Sequence, residues 1–280
     1  MSVSPQSADP ALVFQQVAVG YGGSPILHDI NLTVAPGQVV TLLGGSGSGK
    51  TTLLRAATGQ LAPLAGRVRV LGVDLAAASA AQLRQVRQRM GVLFQQGALF
   101  TDLTVFENVA FVLREHTRLP EAEMTERVLD RLQAVGLRAA AHLRTGEISG
   151  GMARRVALAR AIVLDPQLVL YDEPFAGLDP IAMGITAQLI RTLSDRLGCA
   201  SVLITHDVPE SFEISDYVYL IGQGRFKAEG TPAQLRASPD AFVQQFLEGL
   251  PDGPVAFHYP EGPAFQHWLA QRLPTQPTRR

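Results

Sequence analysis

GGSGSGKT, residues 44–51, is the stretch whose reading decides the fold. It fits G-x-x-x-x-G-K-[ST], a phosphate-binding loop. VVTLL (39–43) before it has the length and apolar character of a buried strand, and TTLLRAAT (51–58) after it reads as a helix. The loop therefore lies between strand and helix, where the motif requires it. Gly44, Gly45, Gly47 and Gly49 permit positive φ and close main-chain approach to a ligand. Successive N–H groups can then line an anion-binding concavity, and the helix behind adds free donors and its positive dipole end. One charge at such an end gains about 0.3–2 kcal/mol, so the loop acts by summing donors. Lys50 is placed for the β- and γ-phosphates and the Thr51 hydroxyl for Mg²⁺, with Ser46, Ser48 and Thr52 in the same nucleotide-binding set. A plain Gly/Ser turn would match by chance roughly once in a hundred chains of this length. The strand–loop–helix setting makes that reading rarer still, so nucleotide binding is expected.

The totals set bounds. A chain of 280 residues can bury a large core in one or two domains. A net charge of −1 gives no sign of a nucleic-acid partner. The single cysteine, Cys199, excludes an internal disulfide; it precedes an apolar strand and reads as a small buried residue in a reducing compartment. MSVSPQSADP has no basic region followed by an apolar run, so no signal peptide is expected. No apolar stretch reaches the roughly 18 residues that span a bilayer, so any membrane role is expected to come through a partner.

Residues 11–19 and 30–34 read as strands joined by a turn containing Tyr21, whose ring could stack on a base. RVRVLGVDL (67–75) reads as one strand, and 81–90 as an amphipathic helix with Arg84, Arg87 and Arg89 on a solvated face. GVLFQQ (91–96) reads as a strand ending in glutamines, with Gln95 opening the apolar stretch GALFTDLTVFENVAF. From 104 to 164 the pattern is helical: Phe106, Val109, Ala110 and Leu113 share one face, as do Met124, Val128, Leu132 and Val135, with Gly136 as a C-cap. Ser149 is a natural N-cap for the helix of 152–164. LVLYD (168–172) and SVLIT (201–205) are unbroken apolar runs, the mark of strands buried on both faces of a parallel sheet. Pro180 can open a helix closed by Gly198, 217–221 and 225–229 read as a hairpin across GQG, and Thr231-Pro232 opens a short helix.

Four further pieces join the loop. The strand 168–172 ends in Asp172-Glu173; Asp172 could hold Mg²⁺ and Glu173 could polarise an attacking water as general base. By itself a DE pair after a strand is usually a loop start, and the phosphate loop upstream reverses that preference. His206 ends the next strand, where a lone histidine would usually be structural, and could contact a γ-phosphate. ISGGM (148–152) places Ser149, Gly150 and Gly151 at a second helix N-terminus, hence a second anion site. One γ-phosphate does not need two such sites in one chain. Two chains facing head-to-tail use both.

At this point the chain resembles the ATPase subunits of ABC transporters, over residues 11 to about 240. GGSGSGKT, the Gln95 loop, ISGGM, LVLYDE, GLD (177–179) and His206 occur in that family's order and spacing. Met152 departs from the family's usual Gln, which removes that side chain's contacts while keeping both glycines. ISGGMARRVALARAI, DEPFAGLDPI, ALFTDLTVFENVAF with REHT, and the DGPVAFHYP tail are similar to the Mla branch of the family, which serves outer-membrane lipid asymmetry. The resemblance implies a P-loop α/β fold with a mostly parallel sheet, an antiparallel β subdomain and an inserted helical subdomain. It implies a core of 1–95 and 165–240, a helical segment of 96–164 with the signature motif, and a C-terminal extension of 241–280 for subunit contacts. It implies ATP and Mg²⁺, with Gln95 among the metal-binding residues beside Thr51 and Asp172. The implied partners are a second ATPase subunit, an integral-membrane permease dimer, an MCE-domain lipid-binding protein and a small STAS-domain protein, at the cytoplasmic face of the inner membrane. Another ABC system, for amino acids or lipoprotein release, is the alternative; an ABC ATPase acting on DNA or ribosomes lacks support, for want of a second nucleotide domain, a coiled coil or a basic surplus. Leu99, Phe100, Leu103 and Phe106 are more apolar than a solvated loop needs and are expected to receive the permease. In the tail, Phe246, Phe257, Tyr259, Phe265 and Trp268 read as anchors for another surface.

Overall fold

The computed structural model describes residues 9–95, 97–255 and 261–272. Strand β1 (Leu12–Tyr21) turns through Gly22-Gly23 into β2 (Ser24–Val34), and β3 (Val39–Gly44) runs straight into the phosphate loop and α1 (Lys50–Ala57). There follow β4 (Ala65–Val70), β5 (Val73–Asp74), α2 (Ala80–Gln88) and β6 (Met90–Leu93). The helical stretch holds α3 (Val105–His116), α4 (Glu121–Ala134) and α5 (Gly150–Ile162). The chain then alternates β7 (Leu168–Asp172), α6 (Pro180–Leu197), β8 (Ala200–Thr205) and α7 (Val208–Ile214) before the hairpin β9 (Tyr217–Gly222) and β10 (Arg225–Gly230) and the short α8 (Pro232–Arg236).

Among the described residues there are two sheets. One is antiparallel, in the order β2-β1-β4-β5; the other runs β10-β9-β3-β8-β7-β6 and is parallel except for its β9–β10 hairpin. This is the mostly parallel sheet with an antiparallel partner that the sequence implied. The parallel strands carry helices on both faces, so their side chains are buried whichever way they point. Successive residues alternate between two cores. Val39, Leu93, Val169, Tyr171 and Leu203 pack with α3, α4, α5 and α6, whereas Val40, Leu42, Leu170, Val202 and Ile204 pack with α1 and the antiparallel sheet. Each fully buried Val, Leu or Ile contributes about 1.5–3 kcal/mol. The helical stretch shares the first core with the sheet.

Several sequence expectations need correction. Tyr21 is the last residue of β1, paired with Ser24, because Gly22 and Gly23 alone make the two-residue turn. RVRVLGVDL is two strands, since Leu71 and Gly72 both take positive φ (49° and 83°) and form a primed hairpin turn. Strand β6 ends at Leu93, leaving Gln95 in a turn. Arg87 donates to the Thr58 and Gly59 carbonyls (3.0 and 3.1 Å) and Arg89 donates to Gln167 (2.5 Å), so two of the three arginines brace neighbouring segments. The second helical stripe is buried as read, from Met124 to Val135, with Gly136 at φ 71° behind it; on the first, Phe106 is only half-buried.

The chain divides into two compact units, one ending at Ala237 and the other beginning at Ser238. In the second, α9 (Ala241–Glu248) is capped by Asp240 and closed by Gly249 at φ 65°, and α10 (Pro263–Arg272) stacks Phe265 on Trp268 with centroids 5.8 Å apart. Gln245 pairs with both the N–H and the carbonyl of Val255 (2.8 and 3.0 Å). Phe246 is half-buried, and Phe257 and Tyr259 lie outside the described residues.

Helix α5 approaches β6 so closely that a Cβ on Gly91 would meet the Ala161 carbonyl oxygen at 2.3 Å. Gly91→Ala must push α5 away from the sheet, and we predict a loss of about 1–3 kcal/mol, the usual scale of overpacking, seen as a lower melting temperature. Unchanged melting would mean that α5 does not rest on β6 in this way.

Candidate functional site

Parallel pairing puts Leu43 beside Thr205 and Asp172 beside Ile204, so the phosphate loop, Asp172-Glu173 and His206 emerge from one edge of the sheet. The loop turns at Gly47 and Gly49, whose φ values are 75° and 96°. Gly44 and Gly45 are not at positive φ, so the freedom that glycine permits there is not used. Gly44 is needed for space instead: a Cβ there would lie 2.7 Å from Ser48 Oγ and 3.1 Å from the Ile221 carbonyl. Gly49 has the same need, since a Cβ would come within 2.8 Å of Leu27.

Lys50 opens α1 and is buried. Its Nζ donates to the carbonyls of Gly44 (2.7 Å) and Gly45 (3.1 Å) and lies 3.4 Å from Glu173 Oε1. Glu173 takes φ of 47°, a costly conformation for a residue with a Cβ, held by its N–H donating to the Ile204 carbonyl at 2.8 Å. Its other oxygen accepts from His206 Nδ1 at 3.0 Å. The carboxylate thus sits between a buried cation and an exposed imidazole. Glu173, His206 and Asp207 also gather their ligand atoms within 4.8 Å. The Lys50 and His206 contacts already account for where Glu173 points.

Gly45, Ser46, Gly47, Ser48, Gly49, Lys50, Thr51, Thr52, Gln95, Glu173 and His206 line one cavity of about 490 Å³, with Ile26 as an apolar wall. Among the described residues, the buried Ser48 Oγ has no partner. A phosphate chain fits this donor set: backbone N–H groups, a lysine and hydroxyls. Gly44, Tyr21 and Asp172 do not line this cavity. Gly44 packs behind it, Tyr21 accepts a 2.8 Å bond from Arg55 beside α1, and Asp172 is buried at the end of β7. Ile26 and Arg55 escaped the sequence reading, because an isolated apolar residue in a strand and an isolated basic one on a helix carry no motif.

Ser149, Gly150 and Gly151 lie elsewhere. Ser149 accepts from the Met152 N–H (3.2 Å) and caps α5. With Met152, Arg155, Gly177, Leu178, Asp179 and Ile181 they line a second cavity of about 640 Å³. Within one chain the two glycine-rich helix starts therefore do not share a cavity.

Burial first, and the neighbouring Glu173 carboxylate second, push Asp172 above the ordinary carboxylate range, while Lys50 and Arg55 pull it down. A carboxyl raised by folding stabilises the fold while protonated, and that contribution is lost as pH rises through its folded pKa. At neutral pH Asp172 therefore costs stability. We predict that Asp172→Asn raises the melting temperature of the nucleotide-free chain, that the gain fades as pH falls into the ordinary carboxylate range, and that stabilisation by ATP with Mg²⁺ is lost. A lower melting temperature at neutral pH would contradict this reading of Asp172.

Residues 27–176 match the ABC transporter family. Over 257 residues the chain is 48% identical to the intermembrane phospholipid transport system ATP-binding protein MlaF of Escherichia coli K12, covering 92% of this chain and 96% of that protein. The Haemophilus influenzae protein of the same name is 52% identical over 239 residues, 85% of this chain and 90% of the relative. Among solved structures, the dimeric ATP-binding cassette MJ0796 bound to ADP and Pi superposes with a TM-score of 0.72 at 27% identity, over 79% of this chain and 98% of that one. The order of motifs, the two sheets and these matches agree, and the chain belongs to the ABC transporter family as one of its ATP-binding proteins.

Proposed function

We propose that this chain is the ATP-hydrolysing motor of a transporter that moves phospholipid between the inner and outer membranes of a Gram-negative bacterium. The observation that carries the proposal is near-half identity, across nearly the whole chain, to proteins named for intermembrane phospholipid transport. An amino-acid importer or a lipoprotein-release system is the alternative.

The chemistry follows from the first cavity. Lys50 and the N–H groups of residues 45–52 hold the phosphates of ATP, and Tyr21 stacks on the adenine. Thr51, Gln95 and Asp172 offer the oxygen ligands that suit Mg²⁺. When bound, that ion neutralises charge on the β- and γ-phosphates. Glu173 accepts a proton from the attacking water as its oxygen bonds to the γ-phosphorus and the bond to ADP breaks. His206 holds Glu173 in place and reaches toward the γ-phosphate.

Separate cavities for the loop and for Ser149–Gly151 support a head-to-tail homodimer in which each nucleotide is covered by the signature motif of the other chain. No helix among the described residues is long and apolar enough to cross a membrane. A permease dimer supplies the path. Exposed Phe100 and Phe111 have ring centroids 4.7 Å apart, and with half-buried Leu99, Leu103 and Phe106 they suit a permease helix. The nucleotide core of 1–95 and 165–240 and the helical segment 96–164 divide the work of hydrolysis and coupling. The extension 241–280, with exposed Phe265 and Trp268, docks on the paired ATPase or on a small STAS-domain protein. An MCE-domain protein receives or delivers the lipid. In this reading the chain works at the cytoplasmic face of the inner membrane.

Glu173→Gln keeps the shape and loses the base. Hydrolysis should fall by at least about 10²-fold while ATP binding survives; turnover at the wild-type rate would remove Glu173 from the chemistry. Phe100→Asp should preserve ATP binding but abolish recovery of the chain with a membrane permease. Mass spectrometry of that membrane complex should find bound phospholipid and an MCE-domain protein. An amino-acid or lipoprotein permease in their place would favour the alternative.

A further inference from the structure

Helix α5 carries the Ser149–Gly151 motif at its start and a buried guanidinium one turn further in. Arg154 Nη1 donates to the carbonyls of Gln95 (2.5 Å) and Phe94 (3.2 Å), and Nη2 donates to the carbonyl of Ala176 (2.9 Å). Two turns on, Arg160 donates to the carbonyls of Gly97 (2.6 Å) and Ala98 (2.8 Å). The backbone turn that presents Gln95 to the first cavity is therefore gripped from α5. Only Arg154 also reaches the segment after Glu173. That segment is itself tied to the proposed base, since the Ala176 N–H donates to the Glu173 carbonyl at 3.2 Å. Gly177, Leu178 and Asp179, next along it, line the second cavity.

The chemistry of the grip is unusual. Arg154 is 8% exposed, and among the described residues no carboxylate lies within 4.0 Å of it. Among the described residues, its hydrogen-bond partners are three backbone carbonyls. A buried charge is a weak source of stability, and an apolar side chain of similar volume often serves stability better. A planar fork that donates in two directions does what an apolar chain cannot, and what the compact ammonium of lysine cannot do in the same geometry.

We propose that Arg154 is a positioning residue that couples the Gln95 turn at one nucleotide cavity to the 176–179 segment at the other, so that nucleotide occupancy is felt across both. The inference rests on the function proposed above. Movement of the Gln95 carbonyl when nucleotide arrives would pull on the same guanidinium that holds Ala176. The turn behind Glu173 and the wall of the second cavity would move with it.

The test uses the full-length chain with Arg154→Lys and Arg154→Met, and Arg160→Lys as the comparison on the same helix. Hydrogen–deuterium exchange is followed with and without a non-hydrolysable ATP analogue, alongside melting, nucleotide affinity and steady-state hydrolysis. In the wild type the analogue should slow exchange in both 44–52 and 174–180. In the Arg154 variants the response of 44–52 and the affinity should persist, the response of 174–180 should be lost, and kcat should fall between about ten- and a hundredfold with KM unchanged, the scale on which misplacement is felt. Arg160→Lys should keep the response of 174–180. Arg154 variants that retain both that response and kcat overturn the inference. So does loss of the response in Arg160→Lys as well, which would make it a matter of helix packing. If neither Arg154 variant folds, the residue is a core support and the inference fails. A wild type that binds ATP without hydrolysing it would overturn the proposed function, while the exchange response would still decide the role of Arg154.

Discussion

Parallel pairing of β3, β8 and β7 is the constraint on which the rest depends. Parallel strands in one sheet end at the same edge, so the residues that follow Leu43, Thr205 and Asp172 must meet there. This brings a glycine-rich loop together with a carboxylate pair and a histidine that lie more than a hundred residues further along the chain. The sheet can do this because helices and a second sheet cover both its faces. Strands β3, β7 and β8 are accordingly buried along their whole length, with no alternation to expose one side to water.

The site placed at that edge departs from what stability alone would favour. Asp172 is buried and raised above the usual carboxylate range. Glu173 is held at positive φ, and Lys50 is folded against two carbonyls and one carboxylate. The first two cost free energy in the chain alone, and all three present a charge or donor where a triphosphate needs one. A strained residue beside a buried carboxyl and a buried cation is the pattern expected of a functional site.

Helix α5 is the second organiser. Its N-terminus forms a wall of one cavity, its arginines hold the turn that serves the other, and its apolar face fills the core beneath α3 and α4. The close approach at Gly91 fixes how that helix lies on β6. Packing, the glutamine turn and the segment behind Glu173 therefore share one rigid element. Displacement of α5 would be felt at all of them.

What the sequence by itself determined was everything written in local periods and short motifs. The unbroken runs LVLYD and SVLIT announced buried parallel strands, GGSGSGKT announced the phosphate loop, and Ser149, Pro180 and Gly198 marked helix ends that lie where they were read. The family was legible too, because its motifs have a fixed order and spacing. Tertiary structure decided the rest. That RVRVLGVDL folds back at Leu71-Gly72, and that Tyr21 belongs to a strand, depended on backbone φ values within glycine turns that several conformations could satisfy. That Gly44 serves close packing, while Gly47 and Gly49 supply the left-handed turns, depended on what lies against each Cβ position. Arg154 was invisible in the sequence because its partners are backbone carbonyls, which every residue carries, and only the fold determines which of them come within reach.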